Sequence, residues 1–288
     1  MRYGLPYMGS KNKIAEWVIS VLPSARHFYD LFCGGCAVTH AAMLSGRYED
    51  FYINDIQGDI PQLFLDAVRG NLPEDYLAPI DREQFYARKN EPLVKLCWSF
   101  GNNVEKGYLW GEEIEKQKLE AFKMLVSDSV EKRYSHYRNF VKMILQTNDV
   151  YAKSESISRI HSVEHLQSLQ ALQALQSLQA LLHVSSVDYA NVEIQPDSVV
   201  YADPPYRGTE AYHADGFDFD RFDNWLRNTP FPVYVSEYTM PSDFVCIAET
   251  ERIATLCATD NSKRTIEKIF VHKRFQPKHQ PKQMEFDF

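Results

Sequence analysis

Apolar and polar positions alternate along this chain in blocks that change period, and the blocks predict the elements. Ile14, Trp17, Val18 and Val21 recur on one face at helical spacing, so a helix is predicted before Pro23, with Ser10 as its N-cap. Phe28 to Leu31 then reads as a short strand, Gly34-Gly35 as a turn, and the segment through His40, Ala41 and Met43 as a helix. Phe51 to Ile56 reads as a second strand that ends in an acid, Asp55. The middle, residues 66–150, is helical and mixed in charge, with one helix predicted from Glu112 to Val126 and a turn-rich patch from Leu96 to Asn103. Farther on, Ser198-Val199-Val200-Tyr201-Ala202 is continuously apolar instead of alternating, the pattern of a strand covered on both faces. Strand, glycine turn, helix, strand, acid is the order of a Rossmann-like α/β unit.

The candidate chemistry sits at strand ends. Asp203-Pro204-Pro205-Tyr206 follows the buried strand directly, and the carboxyl edge of an open α/β sheet is where ligands bind. A carboxylate accepts a hydrogen bond from an amino group, and proline presents carbonyls only, on a backbone of fixed φ. The tyrosine adds a flat face for a heterocycle. Together the four residues suit the holding of an exocyclic amine while it attacks an electrophile. The blander reading of the same tetrapeptide is a strand that ends in a Pro-Pro turn. Glycines 34 and 35 let backbone N–H groups approach a ligand at a helix N-terminus. Asp55, 25 residues past Asp30, stands where a Rossmann-like unit holds ribose hydroxyls.

Composition narrows the class. The 288 residues are 44% hydrophobic and 24% charged, as in a soluble globule with room for a full core. No apolar run reaches the ~18 residues of a membrane span, and the N-terminus lacks the core of a signal peptide. Five cysteines without a secretory signal predict a reduced, cytoplasmic setting. Cys33 and Cys36 form a lone CxxC with no second pair at ligand spacing, so no metal is expected. The net charge of −8 disfavours a nucleic-acid binder on balance, but charge is unevenly placed: Lys263 to Lys282 holds seven basic residues against one acid, Glu267. That stretch reads either as a phosphate contact or as a solvated strand and terminus. Lys132 to Asn139 interleaves basic and aromatic residues, which suits either nucleic-acid contact or a solvated helix with its rings turned inward.

Taken in order, Tyr7-x-Gly9-Ser10-Lys11, Asp30-Leu31-Phe32-Cys33-Gly34-Gly35, Asn54-Asp55, Val187-Asp188-Tyr189 and Asp203-Pro204-Pro205-Tyr206 resemble the adenine-N6 DNA methyltransferases of the Dam type, the D12 class. Val235-Ser236-Glu237-Tyr238 and Ile266-Glu267-Lys268 extend the resemblance toward the C-terminus. It implies a Rossmann-like S-adenosylmethionine-dependent fold, with residues 1–65 and 151–288 catalytic and an inserted, mainly helical DNA-recognition lobe at 66–150. The implied cofactor is S-adenosylmethionine and the implied partner is double-stranded DNA, with no membrane partner. In that pattern Asp30, Phe32 and Gly34 wall the methionine side of the cofactor, Asp55 takes the ribose and Asp188 the adenine amine. Tyr7 and Lys11 close the pocket. Asp203 and the Pro204 carbonyl accept from the target amine, Pro205 stiffens the turn and Tyr206 stacks on the target base. One departure stands out: the family pattern F-x-G-x-G becomes Phe32-Cys33-Gly34-Gly35-Cys36, with cysteine in place of the second glycine. Two other functions fit the resemblance less well: the same fold acting on another acceptor, RNA adenine first, and a methylase-like protein that binds DNA without turnover. Related protein-amide enzymes usually begin the tetrapeptide with Asn and cytosine-N4 enzymes often with Ser, so Asp203 argues against both.

Two segments fall outside this pattern. Leu166, Leu169, Leu172, Leu175, Leu178 and Leu181 recur every third residue between Gln-Ser and Gln-Ala pairs. At ~100° per residue this period carries leucine around an α-helix. A helix buried on several sides, a protein contact and a stacked non-helical arrangement all fit. The last residues, Gln283-Met284-Glu285-Phe286-Asp287-Phe288, resemble peptides that bind bacterial sliding clamps, but the motif is short and inexact and a simple tail is the first reading.

Overall fold

A computed structural model of the chain describes residues 3–5, 7, 9–73, 80–99, 107–108, 116–117, 119–120, 123–124, 129–146, 172–207, 216–253 and 264–276. Among them, seven strands form one sheet: β1 (His27–Asp30), β2 (Asp50–Asn54), β3 (Leu182–Ser185), β4 (Ser198–Ala202), β5 (Val233–Glu237), β6 (Phe244–Ile253) and β7 (Arg264–His272). Their order is β3-β2-β1-β4-β5-β7-β6. Every pairing from β3 to β5 is parallel, whereas β7 runs antiparallel to both β5 and β6. The predicted strands at 28–31, 51–56 and 198–202 are therefore β1, β2 and β4. The continuous apolar runs are explained by burial: all residues of β1 and β5, and all but the first of β4, are buried. A parallel sheet is covered on both faces, so its strands show no alternation.

The chain separates into two compact units. One comprises Ile14–Cys33, Val38–Gly58 and Leu181–Phe288 and holds the sheet; the other comprises Met1–Lys13, Gly34–Ala37 and Asp59–Ala180. The sheet unit also contains α1 (Ala15–Val21), most of α2 (Ala37–Ser45) and a later helix, Phe219–Asn228. Tyr29, Val200 and Val235 pack with Phe222 and Leu226 of that later helix in one core. Helix α1 begins later than its apolar stripe suggested. Ile14 occupies the N-cap position without a side-chain cap, and Ser10, the predicted cap, instead donates its backbone N–H to the Tyr7 carbonyl in a turn. The other end of α1 is held by Arg47, whose guanidinium donates to the carbonyls of Ile19 and Leu22, a cation placed on orphan helix acceptors.

The described residues of the second unit hold α3 (Asp59–Arg69), α4 (Arg82–Arg88), α5 (Pro92–Trp98) and α6 (Val130–Gln146) beside turns and a single bridge between Ser99 and Tyr108, with the Phe219–Asn228 helix of the sheet unit numbered α7. Asp81 and Gln84 close a reciprocal capping box on α4, at 2.8 and 2.9 Å. The described positions between Glu112 and Val126, at 116–117, 119–120 and 123–124, are helical as predicted. The patch read as turn-rich from Leu96 is different: Leu96, Cys97 and Trp98 are the buried last turn of α5, while Phe100 to Asn103 lie outside the described residues. Proline at the start of α5 carries no penalty, because its missing N–H is an orphan there anyway.

The leucine repeat finds an unexpected solution. Gln173–Leu181 forms a 3-10 helix. With about three residues per turn, positions i and i+3 eclipse, so a period of three keeps one face. Leu172 and Leu175 are buried, whereas Ala174, Gln176 and Ser177 are exposed. Leu166 and Leu169 lie outside the described residues, as does the C-terminal segment 277–288 with its clamp-like residues.

Candidate active site

The sheet reverses its winding between β1 and β4, which lie side by side although β2 and β3 intervene in sequence. Ligands bind at the carboxyl ends of strands at such a switch point. Asp30 is the last residue of β1, and its partner across the ladder is Tyr201. Asp203 therefore lies two residues past that partner, just beyond the end of the neighbouring strand. Asp55 follows the end of β2, and Asp188 lies in the turn after β3. Within this unit the structure brings Asp30, Phe32, Asp55, Asp188 and Asp203 through Tyr206 to one edge of one sheet.

Asp30 is the electrostatic centre of that edge. It is 1% exposed. Its Oδ2 accepts from the Thr39 hydroxyl at 2.8 Å, while Oδ1 is buried and takes no hydrogen bond among the described residues. Burial pushes its pKa up to about 7, helped by the negative charges of Asp203 and Asp55 and opposed by Thr39. A carboxylate in this state lacks compensation, and a ligand that brings positive charge or a donor to Oδ1 would supply it.

Asn54 ties three strand ends together. Its Nδ2 donates to the carbonyls of Leu31 (3.3 Å) and Val187 (3.0 Å), and its Oδ1 accepts from the Ser185 hydroxyl (2.8 Å) and the Val187 N–H (3.0 Å). The Asn54 carbonyl also accepts from Cys33 N–H at 3.1 Å. The side chain thereby sets the positions of Asp55, Cys33 and Asp188 relative to one another. Asp55 itself accepts from Gln57 N–H at 2.9 Å, and the next residue, Ile56, is 74% exposed.

Asp188 caps a short turn by accepting from Ala190 N–H at 3.0 Å and forms a two-point ion pair with Arg221, at 2.7 and 2.8 Å. That pairing holds its carboxyl below the ordinary range. Arg221 also lies over the Tyr189 ring at 5.2 Å. Phe32 packs against Tyr189, Phe217 and Phe222 at 5.4 to 5.8 Å. Sequence reasoning quoted Asn54 within a motif but assigned no role to it, to Thr39 or to Arg221; the partners of Asn54 and Arg221 lie far off in the chain, at Ser185, Val187 and Asp188.

Beyond β4, Pro204 is buried and Asp203, Pro205 and Tyr206 are half-buried. The Tyr206 hydroxyl donates to Glu267 at 2.8 Å, and the Tyr206 ring meets Tyr238 edge-on at 4.6 Å. The basic C-terminal stretch divides. Arg264–His272 is strand β7, and Arg274 donates to the Leu226 and Thr229 carbonyls at the C-terminal end of the core helix α7, so this arginine serves the fold.

In the other unit, Gly35 is needed for close approach: a Cβ there would stand 2.6 Å from Tyr7 Cβ. Leu5 N–H donates to the Gly35 carbonyl at 2.7 Å. Gly34 lies under the Tyr7 ring, and Lys11 is buried in the same unit. Cys36, which replaces the family glycine, has φ +57 and is fully buried. The backbone therefore retains the left-handed turn that glycine favours, and cysteine carries the strain. Among the described residues, no helix is long and apolar enough to cross a membrane, and no group of His, Cys, Asp and Glu could hold a metal ion.

A parallel sheet with one reversed strand beside β5, acid-tipped at its switch point, defines the class: a Rossmann-like methyltransferase fold. The model of the D12 class N6 adenine-specific DNA methyltransferase family matches residues 7–245, and the chain belongs to that family. It is an enzyme of adenine-specific DNA methylation. No curated protein matches the chain.

Proposed function

We propose that the enzyme transfers a methyl group from S-adenosylmethionine to the N6 amine of an adenine flipped out of duplex DNA. The observation that carries this reading is the placement of Asp30 and Asp203 at adjacent strand ends at the switch point, with Asp55 just past the end of the next strand. Bound at that edge, S-adenosylmethionine supplies an electrophilic sulfonium methyl. The uncompensated Oδ1 of Asp30 fits the cationic, methionine end of such a molecule. Asp55 accepts from the ribose hydroxyls, and Ile56 offers an apolar surface to a nucleobase. Asp188 accepts from the adenine amine, held in place by Arg221. Phe32 adds a cofactor contact in this reading; the assignment of Tyr7, Lys11 and Gly34 to the cofactor rests on the family resemblance.

Asp203 and the Pro204 carbonyl accept from the two N–H groups of the target amine, whose lone pair is otherwise delocalised into the ring. Two acceptors let the nitrogen pyramidalise toward the methyl carbon. The N–C bond forms as the S–C bond breaks, and the nitrogen sheds one proton to Asp203 or to water. No covalent enzyme intermediate is needed. Pro205 keeps the turn rigid and Tyr206 stacks on the extruded base, offsetting part of an unstacking cost of a few kcal/mol.

We assign DNA recognition to residues 66–150 and catalysis to 1–65 and 151–288. Helix α6 supports this: Lys132, Tyr134, Tyr137, Arg138 and Lys142 are exposed, and the two tyrosine rings stack at 6.4 Å. Phe140 takes the buried side of the helix. Exposed aromatics among cations suit contact with phosphates and bases.

The test is to incubate the purified protein with S-adenosylmethionine and unmethylated genomic DNA, then map modified bases by single-molecule sequencing. N6-methyladenine in one short motif is expected. Asp203→Ala is expected to abolish transfer while cofactor binding survives. An active Asp203→Ala protein, or modification confined to RNA, would overturn the reading.

A further inference from the structure

We propose that Glu267, on the reversed strand β7, is a positioning residue for the methyl transfer: it fixes the plane of the Tyr206 ring, with Tyr238 as the perpendicular wall. The proposal rests on the assignment of Tyr206 to the target base. Glu267 is 1% exposed, and a carboxylate is buried at such a place only when it is well hydrogen-bonded. One of its donors is the Tyr206 hydroxyl, at 2.8 Å. That hydroxyl remains protonated, because burial and then the negative charges of Asp203 and Glu267 push its pKa well up, so it is the donor in this pair.

A tyrosine side chain anchored only at its Cβ can still swing and rotate. Here its far end is tied to β7, and its ring abuts Tyr238 at 4.6 Å with an interplanar angle of 88°. Tyr238 is fixed in turn. Glu237, at the end of β5, accepts from the Tyr238 N–H at 2.7 Å and from the Arg207 N–H at 3.0 Å. One buried carboxylate thus bridges the residue after Tyr206 and the residue that walls it, while the second carboxylate holds the hydroxyl. The antiparallel pairing places these groups together, since Glu237 is opposite Lys268 across the β5–β7 ladder. Stacking on a flipped base is worth most when the ring already lies in the required plane, because the base then need not order it. Glu267 acts through Tyr206 and touches no reacting atom.

The test measures single-turnover methylation, cofactor affinity and the fluorescence of 2-aminopurine placed at the target adenine. Glu267→Leu and Tyr206→Phe are each expected to slow transfer about 10- to 100-fold, the effect of losing a charge-assisted hydrogen bond. Cofactor affinity should be unchanged, and the 2-aminopurine signal of the extruded base should rise because stacking is lost. Glu267→Gln, which keeps an acceptor for the hydroxyl, should recover most of the lost rate. The double variant Tyr206→Phe/Glu267→Leu should be no slower than the slower single variant. Full activity of Glu267→Leu, additive losses in the double variant, or no rescue by glutamine would each overturn the proposal. If Tyr206→Ala also leaves rate and fluorescence unchanged, the stacking assignment itself fails. If Tyr206→Ala matters and Glu267→Leu does not, only the role of Glu267 fails.

Discussion

Replacing Asp30 by asparagine should make the protein more stable and a poorer enzyme. Asp30 is buried, its pKa is raised from 3.8 to about 7, and one of its oxygens is uncompensated. A raised carboxyl pKa means that the folded state binds more protons than the unfolded state between those two values. Asp30 therefore costs no stability below pH ~4, an increasing amount up to pH ~7, and a constant amount above it. At about 1.4 kcal/mol per decade of proton affinity the full cost is about 4 kcal/mol, and relaxation around a buried charge reduces it to ~2 kcal/mol. Asparagine removes the charge and keeps an oxygen for the Thr39 hydroxyl, which donates to Oδ2 at 2.8 Å in the native protein. Urea unfolding of both proteins from pH 5 to 8.5 isolates Asp30 in the difference between them, because every other titrating group is shared. The variant should gain on the native protein as pH rises to 7 and hold a constant lead above it. For a denaturant slope of ~3 kcal/mol/M that lead is a midpoint about 0.7 M higher. The same variant should bind S-adenosylmethionine more weakly, and the native protein should bind it more tightly as pH rises through 7. Identical pH profiles for the two proteins would refute the electrostatic reasoning.

Two further perturbations probe other parts of the molecule. Cys36→Val puts a β-branched side chain at φ +57 in a fully buried position and should cost about 2 kcal/mol or more in chemical unfolding. Cys36→Gly should stay within about 1 kcal/mol of the native protein, since relief of strain is offset by backbone entropy; a tolerated valine would contradict the turn assignment. Tyr134→Ala with Tyr137→Ala should weaken duplex binding about tenfold in a fluorescence-anisotropy titration without affecting cofactor binding, and unchanged DNA affinity would remove α6 from the interface.

The order of elements was legible in the sequence because it is written locally. Val199, Val200 and Tyr201 are apolar in succession since a parallel strand has no wet face, and the acids Asp30, Asp55 and Asp203 announce the strand ends that they terminate. What needed the folded chain was everything that depends on which strand lies beside which. The pairing of β1 with β4 puts Asp30 near Asp203, whose charge adds to burial in raising its pKa, although 173 residues separate them in sequence. The reversed strand β7 delivers Glu267 to Tyr206, and only that approach gives Glu267 a reason to be an acid. Asn54 looks like half of a short motif until the three strand ends that it joins are in place. The leucine repeat makes the same point within a single segment. Its period of three was plain, but the period has one face only in a 3-10 geometry, and the burial of Leu172 and Leu175 is what makes that geometry worth adopting. Periodicity is a property of neighbours along the chain, whereas burial, pairing and charge belong to neighbours in space.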